Sequence, residues 1–145
     1  MNTIAQLIQL HGGLAALDER YIRIENEPYM RLVIEHIGDG PRGLTLISVA
    51  HYGEQNGDAM RDPEMTFEVA EINGHFDFHP VSFQNDYVGR WQEAVWREDD
   101  QTLCRPRLVR ELNSFARMWD RNLKEQGFVE AYTQNEQLVA QDVSQ

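Results

Sequence analysis

Two Asn-Gly pairs, Asn56-Gly57 and Asn73-Gly74, constrain this chain more than any other feature of it. A type I′ hairpin turn needs positive φ at both central residues, and Asn-Gly between alternating runs supplies it. The second pair separates Met65–Ile72 from His75–Val81, and a two-residue turn there sets Ile72 opposite His75, Ala70 opposite Asp77 and Glu68 opposite His79. Directly opposed residues share a face. Met65, Phe67, Val69, Phe76, Phe78 and Pro80 then form a core face, and Thr66, Glu68, Ala70, His75, Asp77 and His79 a polar one.

Carried through Asn56-Gly57 without a bulge, the same reasoning sets Leu46 opposite Phe67, Leu44 opposite Val69 and His51 opposite Asp62. Pro63 and the long polar turn favour a bulge somewhere between them. Met30, Leu32 and Ile34 alternate with Arg31, Val33 and Glu35, and a turn cluster at residues 38–43 leads into Leu44–Ala50. Tyr21–Ile24 alternates as a short strand, and Gly89–Trp96 reads as a last one, ended by Glu98-Asp99-Asp100.

Helical spacing marks both ends of the chain. Thr3 precedes Ile4, Leu7 and Ile8, stopped by Gly12-Gly13, with Leu14–Leu17 continuing after the break. Over residues 106–126, Leu108, Leu112, Phe115, Ala116, Trp119 and Leu123 form one stripe, with Pro106 near the start and Gly127 past the end. The expected fold is α+β: an antiparallel β-meander of five or six strands whose apolar face is covered by the N-terminal and C-terminal helices. Residues 1–133 make a single domain, followed by a polar tail over 134–145 that frays.

Charge narrows the partners. Twenty-four acidic against 13 basic residues give a net charge of −11, which disfavours nucleic acid and anionic membrane surfaces. Residues 51–100 hold twelve of the acids against three arginines, so the acidity surrounds the first Asn-Gly pair. A single cysteine, Cys104, excludes an internal disulfide and a Cys-rich zinc site, and reads as a small half-buried residue. With no signal segment and no apolar run of membrane-spanning length, a cytoplasmic protein is expected. P-loop, G-x-G-x-x-G, G-x-S-x-G and H-E-x-x-H motifs are absent, and no residue is assigned a catalytic role.

Three constellations carry chemistry. His51, Asp62, Glu68, Asp77 and His79 fall on the polar face of the expected register, where residues about 7 Å apart can share a zinc or non-haem iron ion. The simpler reading is an ordinary polar sheet face with Glu68 and His79 as a weak surface pair. Glu54, Asp58, Asp62 and Glu64 offer oxygen ligands for Mg²⁺ or Ca²⁺ without matching an EF-hand loop, and turn formation also explains them. Arg110, Arg117, Arg121 and Lys124 line the polar side of the C-terminal helix, suited to an acidic partner or to a second copy's acidic loop, and equally to plain solvation.

The string His51-Tyr52-x-Glu54-Gln55-Asn56-Gly57-Asp58, followed by Asp62-Pro63-Glu64-Met65 and Phe67-Glu68-Val69, resembles the signature of an uncharacterised bacterial family. Phe83-Gln84-Asn85-Asp86 and the closing helix are similar too, so the resemblance spans most of the chain. It implies plasmids and integrative elements of proteobacteria as the setting, and no activity. The expectation is a small acidic, non-enzymatic binding or accessory protein. It would meet a protein partner through His51, Glu54, Asn56, Asp58, Asp62 and Glu64, with no cofactor. The alternative is a metal-dependent hydrolase on the His/carboxylate set, with a bound divalent metal.

Overall fold

Both Asn-Gly pairs form the turns their chemistry demands, with φ of 55° and 85° at Asn56 and Gly57 and of 51° and 79° at Asn73 and Gly74. The computed structural model describes the backbone of residues 1–144 and the side-chain surroundings of residues 1–136. Six strands, β1 (Ile22–Asn26), β2 (Tyr29–Asp39), β3 (Thr45–Gln55), β4 (Asp58–Ile72), β5 (His75–Asn85) and β6 (Arg90–Glu93), lie in chain order in one antiparallel sheet. Helices α1 (Asn2–His11) and α2 (Leu14–Glu19) precede the sheet. A separate hairpin of β7 (Val95–Glu98) and β8 (Gln101–Cys104), then α3 (Pro106–Glu125) and α4 (Phe128–Ser144), follow it.

One strand differs from expectation. Gly89–Trp96 is not one strand: at Ala94, whose N–H donates to Val81 O (2.7 Å), the chain leaves the sheet, and Glu98–Gln101 closes a second hairpin instead of ending a strand. Asp99 and Asp100 provide its turn with positive φ (50° and 62°), which Asp tolerates better than most residues. The expected domain edge at residue 133 falls inside α4, where Asn135 Nδ2 donates to Glu25 O and Glu136 pairs with Arg20. The side chains of the tail beyond residue 136 lie outside the described residues.

The β4–β5 register is the expected one from Ile72↔His75 to Glu68↔His79. Near the other turn, Gln55↔Asp58 to Tyr52↔Arg61 also keep the expected pairing, but His51 then stands against both Asp62 and Pro63. Beyond this bulge every partner is displaced by one, giving Ala50↔Glu64, Ile47↔Phe67 and Thr45↔Val69. Since a one-residue slip exchanges faces, Ile47 and Val49 join Phe67 and Met65 on the apolar face in place of Leu44 and Leu46. His51 joins them, because it pairs with Leu32.

That face is the core. Ile22, Ile24, Leu32, Ile34, Ile47, Val49, Met65 and Phe67 are completely or almost completely buried on it, beneath α1, α3 and α4. Leu112, Ala116, Trp119 and Leu123 supply the buried stripe of α3, each large side chain contributing about 1.5–3 kcal/mol. Asp120 is buried beside them, 6% exposed. Its carboxylate accepts the N–H groups of Thr3 and Ile4, both at 3.1 Å, and so caps α1, which has no side-chain cap of its own. A negative charge there also complements the helix dipole. At the other end of α1, His11 Nε2–H donates to Arg20 O (2.7 Å) and Nδ1 meets the Tyr132 hydroxyl (3.0 Å).

Candidate functional site

The motif hairpin divides into a base and an arm. Pairing of β3 with β2 stops at Tyr52↔Arg31, and pairing of β4 with β5 begins only at Glu64↔Gln84, so residues 53–60 project from the sheet as two strands. Residues 54–59 are all exposed. One brace reaches the arm: the Tyr87 hydroxyl donates to Glu54 O (3.4 Å) and lies over Gly53, where any Cβ would overlap it. Glycine at 53 therefore has a packing cause.

At the base, each polar side chain is committed to a partner within the protein. His51 packs against the rings of Trp119 and Phe128, with centroids 5.5 and 5.4 Å away, and its Nδ1–H donates to Met30 O (3.0 Å) and, more weakly, to Arg31 O (3.4 Å). Burial pushes its pKa below the usual histidine value, and the two backbone carbonyls and Asp62 offset part of that. On the opposite face the Arg31 guanidinium covers the Tyr52 ring at 5.3 Å. Burial, then Glu64 and Glu35, push that phenol up.

Arg61 holds Asp86 through Nε (2.9 Å), Nη2 (3.3 Å) and its own backbone N–H (2.8 Å). These hydrogen bonds lower the Asp86 pKa and raise that of Arg61. Glu64 accepts from Ser48 Oγ at 2.7 Å and stands 3.7 Å from Arg61 Nη1, while Asp62 accepts from Asn85 Nδ2 at 2.7 Å. The two motif stretches, 51–65 and 83–86, are thus each other's partners. Arg61 and Ser48 are not among the site residues the sequence points to, and Asp86 enters there only as part of the family signature. An arginine inside an acidic segment was the available signal for the first.

The expected metal set is not gathered. His51 is on the helix-covered face, whereas Glu68 is opposite His79 on the other. Glu68 is 0% exposed, not a surface acid: its carboxylate accepts the N–H groups of Arg42 (3.0 Å) and Leu44 (3.2 Å) and pairs with Arg42 Nη1 (3.3 Å). Gly40 packs so closely that a Cβ would overlap Glu68 Cγ and Cδ. Glu68 is therefore the clamp of the β2–β3 turn. Asp77 and His79 are exposed on β5, and Asp62 is taken by Asn85. The carboxylates Glu54 and Asp58 on the arm are likewise separated in role from Asp62 and Glu64 at its base. Among the described residues, no group of three or more His, Cys, Asp or Glu side chains is placed to hold one metal ion.

Elsewhere, Arg110, Arg117, Arg121 and Lys124 are exposed on α3, and Cys104 is exposed at the end of β8 rather than half-buried. Among the described residues no helix is long and apolar enough to cross a membrane.

These features define an α+β protein: a six-stranded antiparallel meander with helices on one face and a braced hairpin arm at one end. A family model described as a domain of unknown function (DUF6908) matches residues 2–129, and the chain belongs to that family. Searches of curated proteins and of solved structures give no significant match.

Proposed function

We propose that this protein is a non-enzymatic binding protein whose β3–β4 arm engages a basic surface on a protein partner. The observation behind this reading is the division of the motif: His51, Asp62 and Glu64 are spent on internal contacts, while Glu54, Asn56 and Asp58 are exposed with no side-chain partner among the described residues. The base positions and the arm contacts. Two exposed carboxylates on a short projection steer and orient an encounter more than they tighten it.

Tightness needs desolvated apolar area. Met30 and Tyr87, 37% and 40% exposed, both reach Gly53 at the root of the arm, and Tyr29 (43%) borders Phe128 nearby. The setting we infer is an accessory role on a mobile element, acting on a host protein. A photo-crosslinking residue replacing Gln55 should capture that partner, and replacing Glu71 should not. The double change Glu54→Lys/Asp58→Lys should abolish capture while the melting temperature is kept. Undiminished capture by the charge-reversed arm would remove the arm from the interface.

A further inference from the structure

We propose that two copies of this chain pair antiparallel through the open edge of β5, joining their sheets into one. The argument begins with where β6 stops. It pairs only with Ser82–Asn85, and the chain then departs at Ala94, so among the described residues, residues 75–80 of β5 have β4 on one side and no hydrogen-bonded strand on the other, β7 touching β5 without pairing to it. A two-residue hairpin turn makes Ile72↔His75 a hydrogen-bonded pair, and such pairs alternate along the ladder. The N–H and C=O groups of His75, Asp77 and His79 are then directed to β4, and those of Phe76 and Phe78 outward. Pro80, which has no N–H to offer, occupies the next outward position and limits how far a new strand can pair.

An edge of alternating aromatic residues with free backbone groups is a template for another strand. The choice of a second copy as that strand rests on its charges. Centred on Phe78, self-pairing sets Phe78 opposite its equivalent, Phe76 opposite Pro80, and Asp77 opposite His79 on both sides of the two-fold axis. Four hydrogen bonds form: a mutual pair at Phe78, and one from each Phe76 N–H to the facing Pro80 carbonyl. Shifting the centre to Asp77 also allows four, but sets Asp77 against Asp77, which like-charge repulsion disfavours. The Phe78-centred register is the one in which backbone and charge agree. It also shields Phe76 and Phe78, which are half-buried against the core.

Sedimentation velocity across a concentration series tests the pairing. Phe78→Pro removes an outward N–H and none used by β4, and should weaken the dimer on the order of tenfold or more. Asp77→His should weaken it severalfold, and Asp77→His/His79→Asp should restore it, an outcome that general loss of folding cannot produce. In a Cys104→Ser background, Asp77→Cys/His79→Cys should form covalent dimers under oxidation and Asp77→Cys alone should not. A chain that stays monomeric throughout overturns the proposal. So does a dimer indifferent to the charge swap, or one crosslinked by Asp77→Cys alone.

Discussion

Replacing Glu68 with alanine separates its role as a turn clamp from that of a metal ligand. The change removes a charged acceptor from two backbone N–H groups, those of Arg42 and Leu44, at a position with no access to water. Hydrogen bonds to a charged group contribute about 1.5–3 kcal/mol each. The ion pair adds little, because Arg42 is 41% exposed and water can solvate it once Glu68 is gone. The expected loss is about 3–5 kcal/mol. For a chain of this length that lowers the melting temperature by roughly 10–15 °C. Glu68→Gln keeps one acceptor and should lose about half as much.

Gly40 gives an internal control, because its missing Cβ is what admits the Glu68 side chain. Gly40→Ala alone should cost about 1–3 kcal/mol through overlap. In the Glu68→Ala background most of that cost should vanish, a coupling of about 1 kcal/mol or more. Urea and thermal unfolding followed by circular dichroism supply all four corners of the cycle. A Glu68→Ala melting temperature within two or so degrees of wild type, or a Gly40→Ala penalty equal in both backgrounds, would refute the clamp.

Other positions make independent demands. Asp120→Ala should cost about 2 kcal/mol by uncapping α1, with loss of amide protection at Thr3 and Ile4 as the direct readout. His51 has a pKa below 6.5 in the folded state, so the unfolded chain binds its proton more readily. Its contribution to stability is present above pH 6.5 and lost as pH falls through the folded-state pKa; His51→Gln should flatten that limb of the pH–stability curve, and an unchanged curve would contradict the burial. Gly53→Ala should displace Tyr87 and speed amide exchange in the arm, and should do so less in a Tyr87→Phe background, where the overlapping hydroxyl is absent.

How much of this could be read in advance depends on what each residue answers to. The Asn73-Gly74 register is legible because turn chemistry sets it locally. The bulge at His51 is legible in Pro63 and the long polar turn, but its effect on the faces is not, because Leu44 and Leu46 are as apolar as Ile47 and Val49, so either register yields a convincing core face. His51 consequently lies on the aromatic face, away from Glu68 and His79. Glu68 sits at a polar position in either register, but its partners are backbone groups of a turn, which leave no trace in residue types. Asp120 reads as one acid flanking a basic stripe until the helix end it caps is known. The β7–β8 hairpin is hidden by its Asp-Asp turn, which carries none of the glycine that marks the two Asn-Gly hairpins.

The cap that Asp120 places on α1 spans nearly the whole chain and sets an order of events during synthesis. All six strands of the main sheet leave the ribosome before residue 106, and they can zip together hairpin by hairpin, each closing a short loop. The part of their apolar face that α3 and α4 cover must then wait until α3 has emerged, several seconds at usual elongation rates of about 5–20 residues per second. Only when residue 120 arrives does the first helix gain its terminal acceptor. A segment made before the sheet is therefore among the last to be secured. A nascent chain whose residues up to 105 have emerged while residue 120 has not would hold a formed sheet with the α3 side of its apolar face open.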